Sequence, residues 1–223
     1  MTLELDHMFV CTGVGAPEAD RLVAFGLSEG TPNTHPGQGT ACRRFFFANA
    51  MLELLWVHDE REARSPLVAP TRLWERWSSA GYSPFGICVR QDQRRAATRP
   101  VLPFATWAYR PPYLPPGTRI DAAAGTAANE PLVFATPFGG RPDALPDDRR
   151  QPIVHPKEVV EVTELHITLP RGEPMSGVVR ALHHAGVVSF EMGNDHLAEI
   201  EFDHGGQGQS VDFRPLLSLC FRW

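Results

Sequence analysis

Hydrophobic and polar positions change period several times along the chain, and each change marks an element. Residues 3–12 alternate. Leu3, Leu5, His7, Phe9 and Cys11 fall on one side, and Glu4, Asp6, Met8 and Val10 on the other. This is the period of a strand. In GVGAPEADRLVAFG, Pro17, Glu18 and Asp20 suit the start of a helix and Gly26 suits its end. GTPNTHPGQGT, residues 30–40, is turn chemistry throughout. CRRFFFAN and MLELLWVH then read as two strands joined tightly at Asn49-Ala50, with room for a further strand near 27–31. A second helix is predicted over 66–80, where Leu73, Trp74 and Trp77 make an apolar stripe for the core, and PFGICVRQ (84–91) is a fresh strand.

From 100 to 156 the texture changes, because twelve of the 21 prolines lie there. FATWAY (104–109) and PLVFATP (131–137) are strand-like, and RPPYLPPGTRID between them reads as a stiff extended segment. PDALPDDRRQP (142–152) reads as an exposed loop. The last third repeats the first. VVEVTELHITLP is a strand, and PMSGVVRALHHAG is a helix with Val178, Val179 and Leu182 on one face and Gly186 closing it. VVSFEMG, HLAEIEFDHG and SVDFRPLLSLCFRW supply three more strands. The expected order, strand-helix-strands given twice, makes an internal repeat the first thing to weigh.

Composition narrows the classes without choosing one. With 43% hydrophobic and 21% charged residues and a formal charge of -5, the 223 residues read as an ordinary globular chain. The basic residues are scattered, so no nucleic-acid footprint is expected. No apolar run is long enough to span a bilayer, and MTLELDH has no apolar signal core, so a cytoplasmic location is expected. Cys11, Cys42, Cys88 and Cys220 form no C-x-x-C pair, which argues against a structural zinc site. G-x-S-x-G and H-E-x-x-H are absent, and GQG lacks the Lys-Ser/Thr of a phosphate loop.

Two residues carry the chemistry. His7 sits on the apolar side of its strand. Glu53 shares a face with Met51, Leu55 and Val57, while Leu52, Leu54 and Trp56 occupy the other, so the strand has no polar side for it. A buried carboxylate without a partner costs several kcal/mol or takes up a proton. A divalent cation shared with His7 would satisfy it; so would an arginine, Arg43 or Arg44, from the neighbouring strand. A His/carboxylate set suits Fe, Zn or Mn.

LDHMFV at the start, LELLWV at the end of the first unit and HPGQGT before the third strand together resemble the vicinal oxygen chelate superfamily, specifically its glyoxalase-like branch. The resemblance implies an α+β fold in which repeated βαβββ modules form one curved, mostly antiparallel sheet around a cavity, with helices outside. It implies a metal held by a His on a module's first strand and a Glu on its last, positions matched here by His7 and Glu53, with further ligands from a partner module. His166 in LHITLP stands where His7 stands in DHMFV, although its alternating strand also fits a plain solvent face. FGICVR, a third candidate module start, carries Gly86 or Ile87 where a ligand would sit.

Division of the chain is expected at 1–91 (first module and the start of another), 92–156 (a Pro-rich excursion) and 157–223 (a C-terminal module), within one compact domain. The expected site is Glu53 as ligand and catalytic group, His7 and His166 as metal ligands, and His35, Arg44, Phe47, Trp56 and Tyr113 around a small-molecule substrate, with Tyr113 on a stiff loop over the mouth. Pairing of such sheets across two chains, as a homodimer, follows from the resemblance alone. Two functions remain open: a metal-dependent lyase, isomerase or dioxygenase acting on a substrate chelated through two oxygens, or a metal-free small-molecule binder of the same fold.

Overall fold

A computed structural model describes residues 3–91, 101–137 and 140–223; the start of the Pro-rich stretch, 92–100, lies outside them. The first half of the chain runs β1 (Leu3–Cys11), α1 (Ala19–Phe25), β2 (Asn33–His35), β3 (Thr40–Phe46), β4 (Met51–Val57), α2 (Glu60–Ala63), α3 (Leu73–Ser78) and β5 (Phe85–Gln91). The middle gives β6 (Thr106–Tyr109), β7 (Ile120–Ala123) and β8 (Leu132–Ala135). These eight strands make one curled mixed sheet in the order β2-β3-β4-β1-β5-β8-β7-β6. The last third runs β9 (Val162–Pro170), α4 (Gly177–His184), β10 (Ser189–Gly193), β11 (Leu197–Phe202), β12 (Ser210–Asp212) and β13 (Leu219–Arg222). Its five strands make a second sheet, β10-β9-β11-β13-β12. The protein is thus α+β, dominated by sheet and with four short α-helices among the described residues.

The large sheet reads alike from either side of its centre. β1 and β5 pair antiparallel, and each has a parallel neighbour on its other side, β4 for β1 and β8 for β5. Beyond these, β4 pairs antiparallel with β3 and β8 with β7. The Pro-rich region therefore supplies three strands of the main sheet, including β7 in the segment expected to be merely stiff and extended. The small sheet is wired differently: the parallel neighbour of β9 is the next strand, β10, whereas those of β1 and β5 are the strands three further on, β4 and β8.

The two faces of the large sheet have different fates. Met8, Val10, Leu52, Leu54, Ile87, Val89 and Val133 face the small sheet, where Leu165, Ile167, Ile200, Phe202 and Phe221 complete a shared apolar core with α1 and α4. Phe47 and Phe202 meet across it with ring centres 4.7 Å apart. Phe9, Cys42, Leu55, Cys88, Tyr109, Ala122 and Phe134 lie on the other, inner face. Burial of this size is the main favourable term holding the layers together.

Local chemistry sets the element ends. Gly26 closes α1 with φ 110°, donating its N–H to the Leu22 and Val23 carbonyls. Ser176 caps α4 by accepting from Val179 N–H. The single helix expected over 66–80 is broken. Pro70 starts a short 3₁₀ turn, Ala69–Thr71, Arg72 takes a left-handed φ of 58°, and only Leu73–Ser78 is α-helical. Trp77 then anchors α3 by donating its indole N–H to the Thr12 carbonyl at 2.8 Å. No helix among the described residues is long and apolar enough to cross a membrane.

Candidate functional site

The inner face of the curled sheet encloses a cavity of about 290 Å³. One wall is apolar, with Phe9, Leu55, Leu73, Ile120, Ala122 and Phe134; the other carries Asp6, His7, His35, Gln38, Arg44 and Glu53, with Tyr109 and Tyr113 at the rim. Both residues singled out by the sequence thus face the same space. Parallel pairing of β1 with β4 sets them there, with Phe9 opposite Glu53 and His7 opposite Met51.

The expected alternation of β1 breaks once, and the break builds the site. Leu5 pairs with Val89 and His7 with Cys88, so Asp6 is an extra residue in the strand, a β-bulge. The slip turns Asp6 inward beside His7 instead of outward, and lets Leu5 pack with Met8 on the core side. Asp6 Oδ1 lies 2.6 Å from His7 Nδ1. The second Asp6 oxygen accepts from Gly140 N–H at 3.1 Å and lies 3.5 Å from Arg90, which is itself held by Glu4 and the Asn49 carbonyl. Burial opposes charge on His7, but the Cys88 sulfur and the Asp6 carboxylate hold its imidazole well above the ordinary range. Burial likewise opposes charge on Asp6, and His7 and Arg90 bring it below the usual carboxylate range. Asp6 thereby occupies Nδ1 and fixes the ring, so any ligand His7 takes is taken through Nε2.

Glu53 is 7% exposed, and no arginine ion-pairs with it among the described residues. Arg44 is its partner across β3 and β4, yet Arg44 donates Nε to the Thr31 carbonyl at 2.7 Å and lies over the Phe46 ring. Arg43 is committed to Glu29 and Asp20. Glu53 instead faces His35 and Cys42. One donor atom from each of these three buried residues lies within 4.8 Å of the others. Asp6, His7 and Cys88 form a second such group. Burial pushes both the Cys42 and Cys88 thiols up. Burial pushes His35 down, toward the neutral imidazole.

A hydrogen-bonded chain ties the rim to this wall. Tyr109 and Tyr113 donate their hydroxyl protons to Gln38 Oε1, at 2.9 and 3.2 Å, and Gln38 Nε2 donates to Thr40 Oγ1 at 2.7 Å. Thr40 Oγ1 lies 3.0 Å from His35 Nδ1, and the Tyr113 ring is 5.1 Å from that of His35. Burial raises both tyrosine hydroxyls, keeping them un-ionised.

Of the expected site residues, His7, Glu53, His35, Arg44 and Tyr113 come together in this cavity. Three do not. His166 lies on β9 in the second sheet, beside Ser189 and Glu191, in a shallow hollow with Glu164, Glu199, Glu201 and Arg222. Its alternating strand fitted two environments, and the structure gives the half-exposed one. Phe47 is fully buried between the sheets against His155 and Phe202. Trp56 packs on the outer, core side of β4, opposite Glu53 in the pleat. Asp6, Gln38, Tyr109, Cys42 and Cys88 enter the site without having been assigned to it. Asp6 adjoins His7 in sequence, but a bulge leaves no trace in an alternating pattern. Gln38 is distinguished only by lying between two glycines in the loop His35 opens.

No family model matches the chain, and no curated protein matches it. Among solved structures the chain is similar to a hypothetical protein from Staphylococcus aureus, with a TM-score of 0.53 at 10% identity over 99% of both chains. A hypothetical protein from Bacillus halodurans C-125 aligns over 61% of this chain and 94% of its own, with a TM-score of 0.39 at 14% identity. The first likeness is one of fold alone, and it extends over the whole chain.

Proposed function

We propose that the chain is a glyoxalase-like enzyme of the vicinal oxygen chelate type, in which His7 and Glu53 hold a divalent metal, Fe, Zn or Mn, and a small substrate binds through two adjacent oxygens. The symmetric order of the large sheet supports this reading: β1–β4, with α1 after its first strand, is matched in pairing by β5–β8, which carries no helix among the described residues. The observation that carries it is the state of the two donors. His7 is fixed through Nδ1 by Asp6, and Glu53 faces the same cavity with no arginine to neutralise it. A carboxylate behind a metal-binding imidazole is the usual way such a ring is aimed and made more basic. The two donors line one cavity from adjoining groups, His7 with Asp6 and Cys88 and Glu53 with His35 and Cys42, and a cation between them would take His7 Nε2 and a Glu53 oxygen; the His35 ring is engaged at both nitrogens, by Asn33 and Thr40.

When bound, the metal would act as a Lewis acid toward the substrate's oxygens. The remaining work falls to side chains. Asp6 keeps His7 oriented. Glu53, where not wholly committed as a ligand, accepts a proton from the substrate as general base. Tyr109 and Tyr113 both direct their hydroxyl hydrogens to Gln38 Oε1, so their oxygens present lone pairs to a substrate hydroxyl. Phe9, Leu55 and Phe134 keep water from the reacting end. Lyase, isomerase and dioxygenase chemistry all share these parts. Because the raised His7 must give up its Nε2 proton to a cation, loading should strengthen as pH rises.

The test is elemental analysis of protein purified without chelator. About one equivalent of metal per chain is expected in the wild type, falling to background in both His7→Ala and Glu53→Gln. Wild-type protein that cannot be loaded by added Fe(II), Zn(II) or Mn(II) would overturn the proposal. The second reading, a metal-free binder, draws on Phe134, whose ring stands edge-on to His7 at 5.5 Å and makes the β8 side of the cavity apolar. It predicts that ligand affinity survives in both variants.

A further inference from the structure

We infer that the substrate is a small organic anion with an apolar body, and that Arg44 selects it by binding its carboxylate. This deepens the reading above and rests on the same cavity being the working site, but not on a cation being present.

Three other arginines around the sheet are spent. Arg43 is forked onto Glu29 and bonded to Asp20, Arg90 is held by Glu4, Asp6 and the Asn49 carbonyl, and Arg76 donates to the carbonyls of Ser83 and Glu130. Arg44 differs. Only its Nε is engaged, by the Thr31 carbonyl, and among the described residues no carboxylate meets its two terminal amino groups. Its cross-strand partner is an acid, Glu53, yet the two do not pair. The Thr31 bond and the Phe46 ring hold the guanidinium in place. A planar guanidinium with free amino groups, fixed at the wall of a cavity, is suited to two parallel bonds to a carboxylate.

Charge balance points the same way. Among the residues lining the cavity, Asp6 is answered by His7 and by Arg90 behind it. Arg44 and Glu53 remain, unpaired with each other. With no carboxylate on its amino groups among the described residues, Arg44 is a positive group without a direct partner at the wall of a partly apolar chamber, which is costly to leave so. An anionic substrate head supplies the answer. Its apolar body has Phe9, Leu55 and Ile120 to lie against, and 290 Å³ is at the small end of ligand cavities, which favours a compact molecule.

The experiment titrates EDTA-dialysed protein by calorimetry with benzoate, phenylacetate and 3-phenylpropionate, and with the corresponding alcohols. The same titrations are run on Arg44→Gln and Arg44→Lys. At least one acid should bind the wild type about tenfold more tightly than its alcohol, a margin that Arg44→Gln removes and Arg44→Lys keeps in part. Circular dichroism melting of the variants confirms that they fold. Alcohols that match the acids, acids that bind Arg44→Gln as well as the wild type, or no acid bound at millimolar concentration would each overturn the inference. Because the protein is metal-free throughout, these outcomes are separate from the metal analysis: a chain that never loads metal can still show the Arg44-dependent margin.

Discussion

Asp6 and His7 show how much rests on a single added residue. Without the bulge, Asp6 would point to the core side and His7 would be a lone imidazole above Phe134. With it, a carboxylate stands 2.6 Å behind the imidazole, itself steadied by Gly140 and Arg90. Asp6→Asn keeps the shape and loses the charge. It is expected to weaken metal binding by roughly 10–100-fold while leaving the fold intact, read by competition with a chromophoric chelator. Unchanged affinity would mean that Asp6 serves only the strand. At this scale the sequence was partly legible. His7 stood out because it lies on the apolar side of its strand, and Glu53 because its run has no polar face. Asp6 did not, because strict alternation assigns it to the opposite side, and a bulge is decided by how β5 pairs with β1. His166 stood out only through the likeness of LHITLP to LDHMFV, on a strand that also fitted a solvent face, and it lies in the second sheet. A polar residue in an alternating strand marks a surface, and only tertiary placement tells a cavity wall from solvent.

Strands and loops carry the next lesson. Gly86 occupies a place on β5 where the resemblance would put a ligand, and the structure gives it a packing role. It faces Phe9 across the β1–β5 pair, and a Cβ there would sit 1.9 Å from the Phe9 ring. Gly86→Ala therefore forces Phe9 toward the cavity. A loss of about 1–3 kcal/mol is expected from chemical denaturation, together with a smaller cavity and weaker ligand binding. Stability equal to wild type would show that Phe9 has room to move. The helix expected over 66–80 failed for a local reason, since Pro70 and the left-handed Arg72 interrupt it. In the Pro-rich middle β6 and β8 fall where strands were expected, and β7 was missed for a different reason. Prolines stiffen the connections, but β7 itself, Ile120–Ala123, contains none and is small enough to lie flat against β6 and β8.

Across the whole molecule, the two sheets divide the labour. The small sheet, with Phe202 and Phe221, backs the outer face of the large one and leaves the inner face to the cavity. Phe47 belongs to that backing. Phe47→Ala should cost about 3–5 kcal/mol in denaturant unfolding and, in the fraction still folded, leave ligand affinity near the wild-type value. A selective loss of binding with little loss of stability would return Phe47 to the site. The class α+β and the curvature around a cavity could be read from alternation, turn residues and the resemblance. The wiring of the small sheet could not, because β9, β10 and β11 alternate much as the strands of the first unit do, and nothing in their pattern says which will be neighbours.

β2 and β6 are the two ends of the eight-stranded order, yet Tyr109 on β6 reaches Gln38 in the turn after β2, and Pro112 lies against Gly37. The wall is thus closed by a seam of side chains rather than by a ladder. Opening that seam would part tyrosines from an amide and unzip no backbone ladder, so its fastening is the same glutamine that orders Tyr109 and Tyr113.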